Sequence, residues 1–202
     1  MKKVRASLWI AVALAVTGFA ALWMMERGQE VATMRVDPQV ARFAADFELT
    51  DHNGMMQADE DFRGRWMLVF FGFTKCPDVC PMGLATIAQI MDDLGSKSEA
   101  VQPLFITIDP ERDTPSVLAT YVPQFGSGIL GLSGTPDQIE RTAKTFKIYY
   151  QKIEEAASPD GYTMGHTSAF LLFDPQGDFV RLYEYNQEPA VILSDLQKRI
   201  GS

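Results

Sequence analysis

The run from Trp66 to Phe73, Trp-Met-Leu-Val-Phe-Phe-Gly-Phe, is almost unbroken in apolar and aromatic side chains. A strand with one wet face alternates polar and apolar residues, whereas a continuous run is the pattern of a strand buried on both faces. Such a strand needs covering layers above and below it, and the segments around it supply them. Gly83 to Leu94 carries a helical stripe of Leu84, Ile87, Ala88, Met91 and Leu94. Leu104 to Ile108 reads as the next strand. Thr114-Pro115 opens a helix to about Gln124, with Thr as cap and Pro at the first helical position. Ile129 to Leu132 is a short strand, and Thr135-Pro-Asp-Gln138 is a capping box that starts a helix to about Phe146.

Ahead of this core, Phe47 to Thr50 and Met55 to Gln57 flank Asp51-His-Asn-Gly54, whose Asn-Gly step signals a hairpin. After it, Ile148 to Ile153 reads as extended and Glu154 to Gly161 as a polar loop. Ala169 to Phe173 and Phe179 to Tyr183 read as strands joined by a Pro-containing turn at Asp174 to Gly177. Pro189 to Ile200 is a closing amphipathic helix. The order βαβαβα, then a hairpin and a helix, predicts an α/β sandwich built on a mixed sheet.

An apolar fraction of 47% against 22% charged is ordinary for a folded domain and argues against disorder. The net charge is −8, yet Lys2, Lys3 and Arg5 are the only charges before Glu26. The remainder holds 15 basic and 26 acidic side chains, a net −11 that repels phosphate backbones, so no nucleic-acid partner is expected.

Leu8 to Met25 is an uncharged run of 18 residues. At helical rise it reaches about 27 Å, close to the hydrocarbon thickness of a bilayer. The three basic residues before it hold that end in the cytoplasm and send the rest across. A cleaved signal peptide is the alternative, with Gly18-Phe-Ala20 as its small-x-small site, but Leu22-Trp-Met-Met25 extends the run beyond that point and favours an uncleaved anchor. The expected organisation is a cytoplasmic end over 1–7, a transmembrane anchor over 8–25, a linker over 26–45 and a folded domain over 46–202.

Cys76 and Cys80 are the only cysteines, and His166 is one of two histidines. Cys76 falls just past the carboxyl end of the buried strand and Cys80 near the start of the next helix, where α/β proteins place ligands. Backbone N–H groups there, with Lys75 alongside, predict that both thiols are more acidic than a free cysteine. Two thiolates and an imidazole suit copper or zinc. The same pair, four residues apart, is also within reach of a disulfide. An inert stabilising bridge is the plainer reading, but so short a loop constrains the unfolded chain little. The residues alone leave a metal handler and a thiol redox protein both open. His166, after a polar loop, and His52, in the hairpin turn, both read by default as ordinary surface histidines.

The stretches Phe70-Phe-Gly-Phe-Thr-Lys-Cys-Pro-Asp-Val-Cys-Pro81, Thr107-Ile-Asp-Pro-Glu-Arg-Asp-Thr-Pro115, Gly131-Leu-Ser-Gly134 and Gly165-His-Thr167 together resemble the Sco/SenC family of membrane-anchored copper chaperones. The similarity runs from about Asp46 to Ile200, plus the anchor. It implies a thioredoxin-like, three-layer fold and one copper ion per chain, as Cu(I) or Cu(II), held by Cys76, Cys80 and His166. It also implies delivery to the dinuclear copper centre of cytochrome c oxidase. The partner implied is the copper-accepting oxidase subunit, with other periplasmic copper chaperones or thiol reductases beside it. The family usually has an aspartate just before the histidine; here Gly165 stands there, which bears on what orients the imidazole. Met164 is read as core packing and as an auxiliary soft ligand only in second place. The short basic start, without an Arg- and Ser-rich transit segment, favours a bacterial inner membrane with a periplasmic domain.

The rival readings are a thiol-disulfide oxidoreductase and a redox or copper sensor. Against the first as the sole role stand the Cys-x-x-x-Cys spacing, the lack of a proline immediately before Ala169, and a histidine left without a task. No residue is assigned a catalytic role, and Asp109 to Pro115 reads as a strand end leading into a helix start.

Overall fold

The computed structural model describes residues 43–126, 128–158 and 160–201. The expected anchor, and the linker up to residue 42, lie outside them. Among the described residues, no helix is long and apolar enough to cross a membrane.

The predicted central strand forms as β3 (Trp66–Gly72). It lies in a seven-stranded sheet with β1 (Glu48–Asp51), β2 (Met56–Ala58), β4 (Val101–Thr107), β5 (Leu130–Ser133), β8 (Ala169–Phe173) and β9 (Phe179–Glu184), in the order β2-β1-β5-β4-β3-β8-β9. The β3, β4 and β5 strands run parallel, while β1 and β8 pair antiparallel on either side of them, which makes the sheet mixed. The helices are α1 (Val79–Leu94), α2 (Pro115–Tyr121), α3 (Pro136–Thr145) and α4 (Pro189–Ile200).

The period of two along β3 sends successive side chains to opposite layers. Phe70 meets Phe105 and Phe170, with ring centres 6.5 and 5.1 Å away, on the face where α1 packs. A Cβ on Gly83 of α1 would sit 2.7 Å from the Phe70 ring, so the absence of a side chain there lets the helix lie against the sheet. Phe71 points the other way, to Phe146 at the end of α3, 5.3 Å off. Phe43, at the end of the stretch read as linker, belongs to that second layer and stacks on Phe179 at 4.5 Å. Both layers are dry, as the unbroken run required, and each buried phenylalanine stabilises by about 1.5–3 kcal/mol. This is the α/β, thioredoxin-like arrangement.

The predicted caps form: Thr114 takes the Val117 N–H, and Thr135 and Gln138 close a capping box. The α1 helix starts at Val79, ahead of the apolar stripe and next to Cys80 as expected, and Pro81 sits in its first turn, where a missing N–H costs nothing. A strand not anticipated, β7 (Tyr162–His166), pairs with β6 (Tyr150–Glu154) as a separate two-stranded ribbon. All five of its residues are half-buried and none alternates, so it carries no sequence period.

Candidate metal centre

Cys76 lies in the turn after β3, and Cys80 is the second residue of α1. Both are free thiols; Cys80 is fully buried and Cys76 half-buried. Cys80 packs on Gly72: a Cβ there would stand 2.9 Å from Cys80 Sγ and 2.8 Å from the Phe105 ring. The strand can approach the sulfur only because that position is bare.

The Cys80 N–H donates to Cys76 Sγ at 3.4 Å, one of the orphan donors of a helix's first turn. Cys76 is drawn down to about 4, chiefly by the hydrogen bond from the Cys80 thiol, against the effect of burial and with help from the backbone at Asp78 and Cys80. Cys80 moves the opposite way, since it donates to the Cys76 thiolate and is itself desolvated. The expectation that both thiols are acidified therefore holds for Cys76 alone. One negative charge per pair is favourable in a site this dry, and a second is opposed by the first. Lys75 is exposed to solvent.

His166 closes β7 and brings its Nε2 to 3.7 Å from Cys80 Sγ. Its Nδ1 is 2.9 Å from the Thr167 carbonyl oxygen, which can only accept, so Nδ1 carries the proton and Nε2 presents its lone pair to the sulfurs. The orienting bond that Gly165 cannot supply comes from the backbone of the next residue. The Phe73 ring meets the imidazole edge to face, with centres 5.9 Å apart and planes at 84°. For metal–sulfur and metal–nitrogen bonds of about 2.3 and 2.0 Å, a trigonal or tetrahedral ion separates S and N by about 3.5–3.8 Å. The spacing of Cys80 and His166 fits a shared ion. Among the described residues no group of three or more His, Cys, Asp or Glu side chains is gathered closely enough to hold a metal ion.

The other residues singled out fall away from this centre. Met164 packs on the core. His52 accepts the Gly131 N–H at its Nδ1, 3.0 Å away, and so ties the β1–β2 turn to β5. One residue of consequence was not assigned from sequence. Asp113, fully buried, accepts from the Thr74 N–H at 2.9 Å, the Thr74 hydroxyl at 2.5 Å and the Thr107 hydroxyl at 2.7 Å. It anchors the loop that carries Cys76 to the end of β4. Burial raises its pKa, and those three bonds oppose the rise. Its sequence signal was its place in the Thr107 to Pro115 stretch that carries part of the resemblance.

Residues 35–201 match the profile of the SCO1/SenC family. The chain is 34% identical over 200 residues to the bovine mitochondrial SCO2 homologue, covering 96% of this chain and 75% of that protein. It is 37% identical over 152 residues to the human mitochondrial SCO1 homologue, covering 74% of this chain and 50% of the relative. Among solved structures, Arabidopsis thaliana ScoI with copper bound superposes with a TM-score of 0.73 at 32% identity, over 79% of this chain and 98% of that one. Bradyrhizobium japonicum ScoI with copper bound gives 0.71 at 36% identity, over 77% and 98%.

Proposed function

This chain belongs to the SCO1/SenC family, and on that premise we propose that it is a membrane-anchored copper chaperone. It carries one Cu(I) or Cu(II) ion on Cys76, Cys80 and His166 and hands it to the copper-accepting subunit of cytochrome c oxidase, for the dinuclear copper centre. The observation that carries this reading is the Nε2 of His166, 3.7 Å from the sulfur of Cys80, on a ring whose Nδ1 is held by the Thr167 carbonyl.

Ligand softness accounts for the cargo. Two sulfurs favour Cu(I), the imidazole admits Cu(II), and copper binds such donors above zinc. Cys76 is already a thiolate at neutral pH, and a bound cation would favour loss of the Cys80 proton as well. Three ligands leave the shell open, so an acceptor's cysteine or histidine can enter and take the ion by exchange. An anchor over 8–25 would hold donor and acceptor on one membrane and raise their effective concentration. The basic start of the chain favours a bacterial inner membrane, with the folded part in the periplasm.

The split between the two thiols supports a second reading, reduction of a disulfide in the acceptor. The Cys76 thiolate would attack one sulfur of that disulfide and expel the other as a thiolate, and Cys80 would then resolve the mixed disulfide. The chain would leave oxidised and the acceptor reduced by two electrons. A thiolate of such low basicity is a good ligand but a weaker nucleophile, which ranks this role second.

The test is an anaerobic titration of the reduced full-length chain with Cu(I) and with Cu(II), beside His166→Ala. One tightly bound ion per chain, with thiolate-to-Cu(II) charge transfer lost in the variant, is expected. Weak, nonstoichiometric copper together with turnover of a disulfide substrate would overturn the chaperone reading in favour of a thiol reductase.

A further inference from the structure

The segment from Asp109 to Asp113 leaves the end of β4 and sends adjacent side chains to opposite halves of the centre. Asp113 goes to the cysteine half, where it holds Thr74. Arg112 goes to the histidine half. Its Nε donates to the Asp109 carboxylate, and its Nη1 donates to the Tyr162 carbonyl at 3.2 Å and to the Asp160 carboxylate at 3.3 Å. The guanidinium carbon lies 3.8 Å from the centre of the Tyr162 ring and 5.9 Å from that of Phe73. The Tyr162 hydroxyl donates to Asp109 at 3.1 Å. Lys152, 3.8 Å from the same ring, pairs with Glu111 at 3.0 Å.

Tyr162 begins β7 and His166 ends it, while Phe73 is the ring on which His166 rests. Arg112 thus touches both the strand that carries the imidazole and the surface that the imidazole leans on. The β6–β7 ribbon stands apart from the main sheet, and two strands alone are marginal in water. Its placement therefore depends on contacts such as these. The Arg112 side chain is only 11% exposed, so its single bond to Asp109 and its cation–π contact act with little screening.

We propose that Arg112 is a positioning residue for copper capture. It holds the ribbon so that the His166 Nε2 faces Cys80, and it thereby sets how readily the imidazole joins an ion already held by sulfur. The proposal rests on the reading of Cys76, Cys80 and His166 as the copper ligands.

The test compares full-length, reduced wild type, Arg112→Ala, Arg112→Lys and His166→Ala, each loaded with Cu(II) and with Cu(I). In Arg112→Ala, Cu(II) affinity should fall about 10–100-fold, as for other outer-shell losses. The nitrogen coupling in the Cu(II) paramagnetic resonance spectrum should weaken towards that of His166→Ala, while Cu(I) affinity changes much less. Without metal, amides from Tyr162 to His166 should exchange faster in Arg112→Ala, with β3 and β4 amides unchanged. Lysine keeps the charge but not the fork, so Arg112→Lys should fall between. It decides on the same readouts if Arg112→Ala does not fold. Wild-type Cu(II) affinity and nitrogen coupling in Arg112→Ala, with both lost in His166→Ala, would overturn the positioning role and leave the copper site standing. Equal losses of Cu(I) and Cu(II) would also overturn it. If His166→Ala itself bound Cu(II) as wild type does, both readings would fall.

Discussion

The Nε2 of His166 stands 3.7 Å from the Sγ of Cys80, across 86 residues of chain. One contact on each side bears on that approach. Gly72 lets the sulfur close on β3, and the Thr167 carbonyl fixes which imidazole nitrogen is free to face it.

The tautomer is the first expectation to check. Nitrogen chemical shifts of the metal-free, reduced chain should show the neutral His166 imidazole with its proton on Nδ1. That proton on Nε2 instead would mean that the Thr167 carbonyl does not orient the ring.

Gly72→Ala should damage the site from beneath. The added methyl meets Cys80 Sγ and the Phe105 ring below 3.0 Å, in a core with no slack. Overpacking of this kind costs about 1–3 kcal/mol, read by denaturant unfolding. Copper affinity should fall along with stability. A variant as stable as wild type, with unchanged copper binding, would show that the sulfur does not depend on the bare strand.

The thiols should titrate apart. Alkylation of the reduced, metal-free chain, mapped by mass spectrometry, should modify Cys76 and spare Cys80. The rate at Cys76 should rise with pH through about 4, as its thiolate forms. An ordinary cysteine profile near pH 8.5 would contradict the hydrogen bonding described.

Away from the centre, Asp195 gathers the Tyr183 hydroxyl at 2.5 Å and the Arg199 guanidinium at 3.0 Å. Burial acts to raise its pKa, but Tyr183, Arg199 and Arg181 outweigh burial and hold it below the usual carboxylate range. A depressed carboxylate stabilises the fold above its unfolded value, about 3.9, and loses that contribution as pH falls through the folded value. Wild type should therefore exceed Asp195→Asn in stability at pH 7, with the gap closing below about pH 4. A gap that stayed constant with pH would rule out this charge as its source.

Much of the site was legible because its cysteine half is local. A buried strand, a turn and a helix start place Cys76 and Cys80 side by side, and β3 is marked by its unbroken apolar run. The histidine half is not local. His166 ends a half-buried strand without alternation, in a ribbon outside the main sheet, so only the resemblance singled it out. Asp113 and Arg112 read only as part of a link from a strand end to a helix start, because a hydrogen bond across 39 residues, or across 50, leaves no local pattern.

Local chemistry, written in the order of residues, determined the sheet, its dry faces, the caps at Thr114 and Thr135 and the cysteine pair, since hydrophobic period and backbone geometry act over a few neighbours. The tertiary structure decided which thiol is the acid, which imidazole nitrogen is bare and which loop holds the two halves together. Those depend on who donates to whom across the fold, and on burial that exists only once the layers have closed.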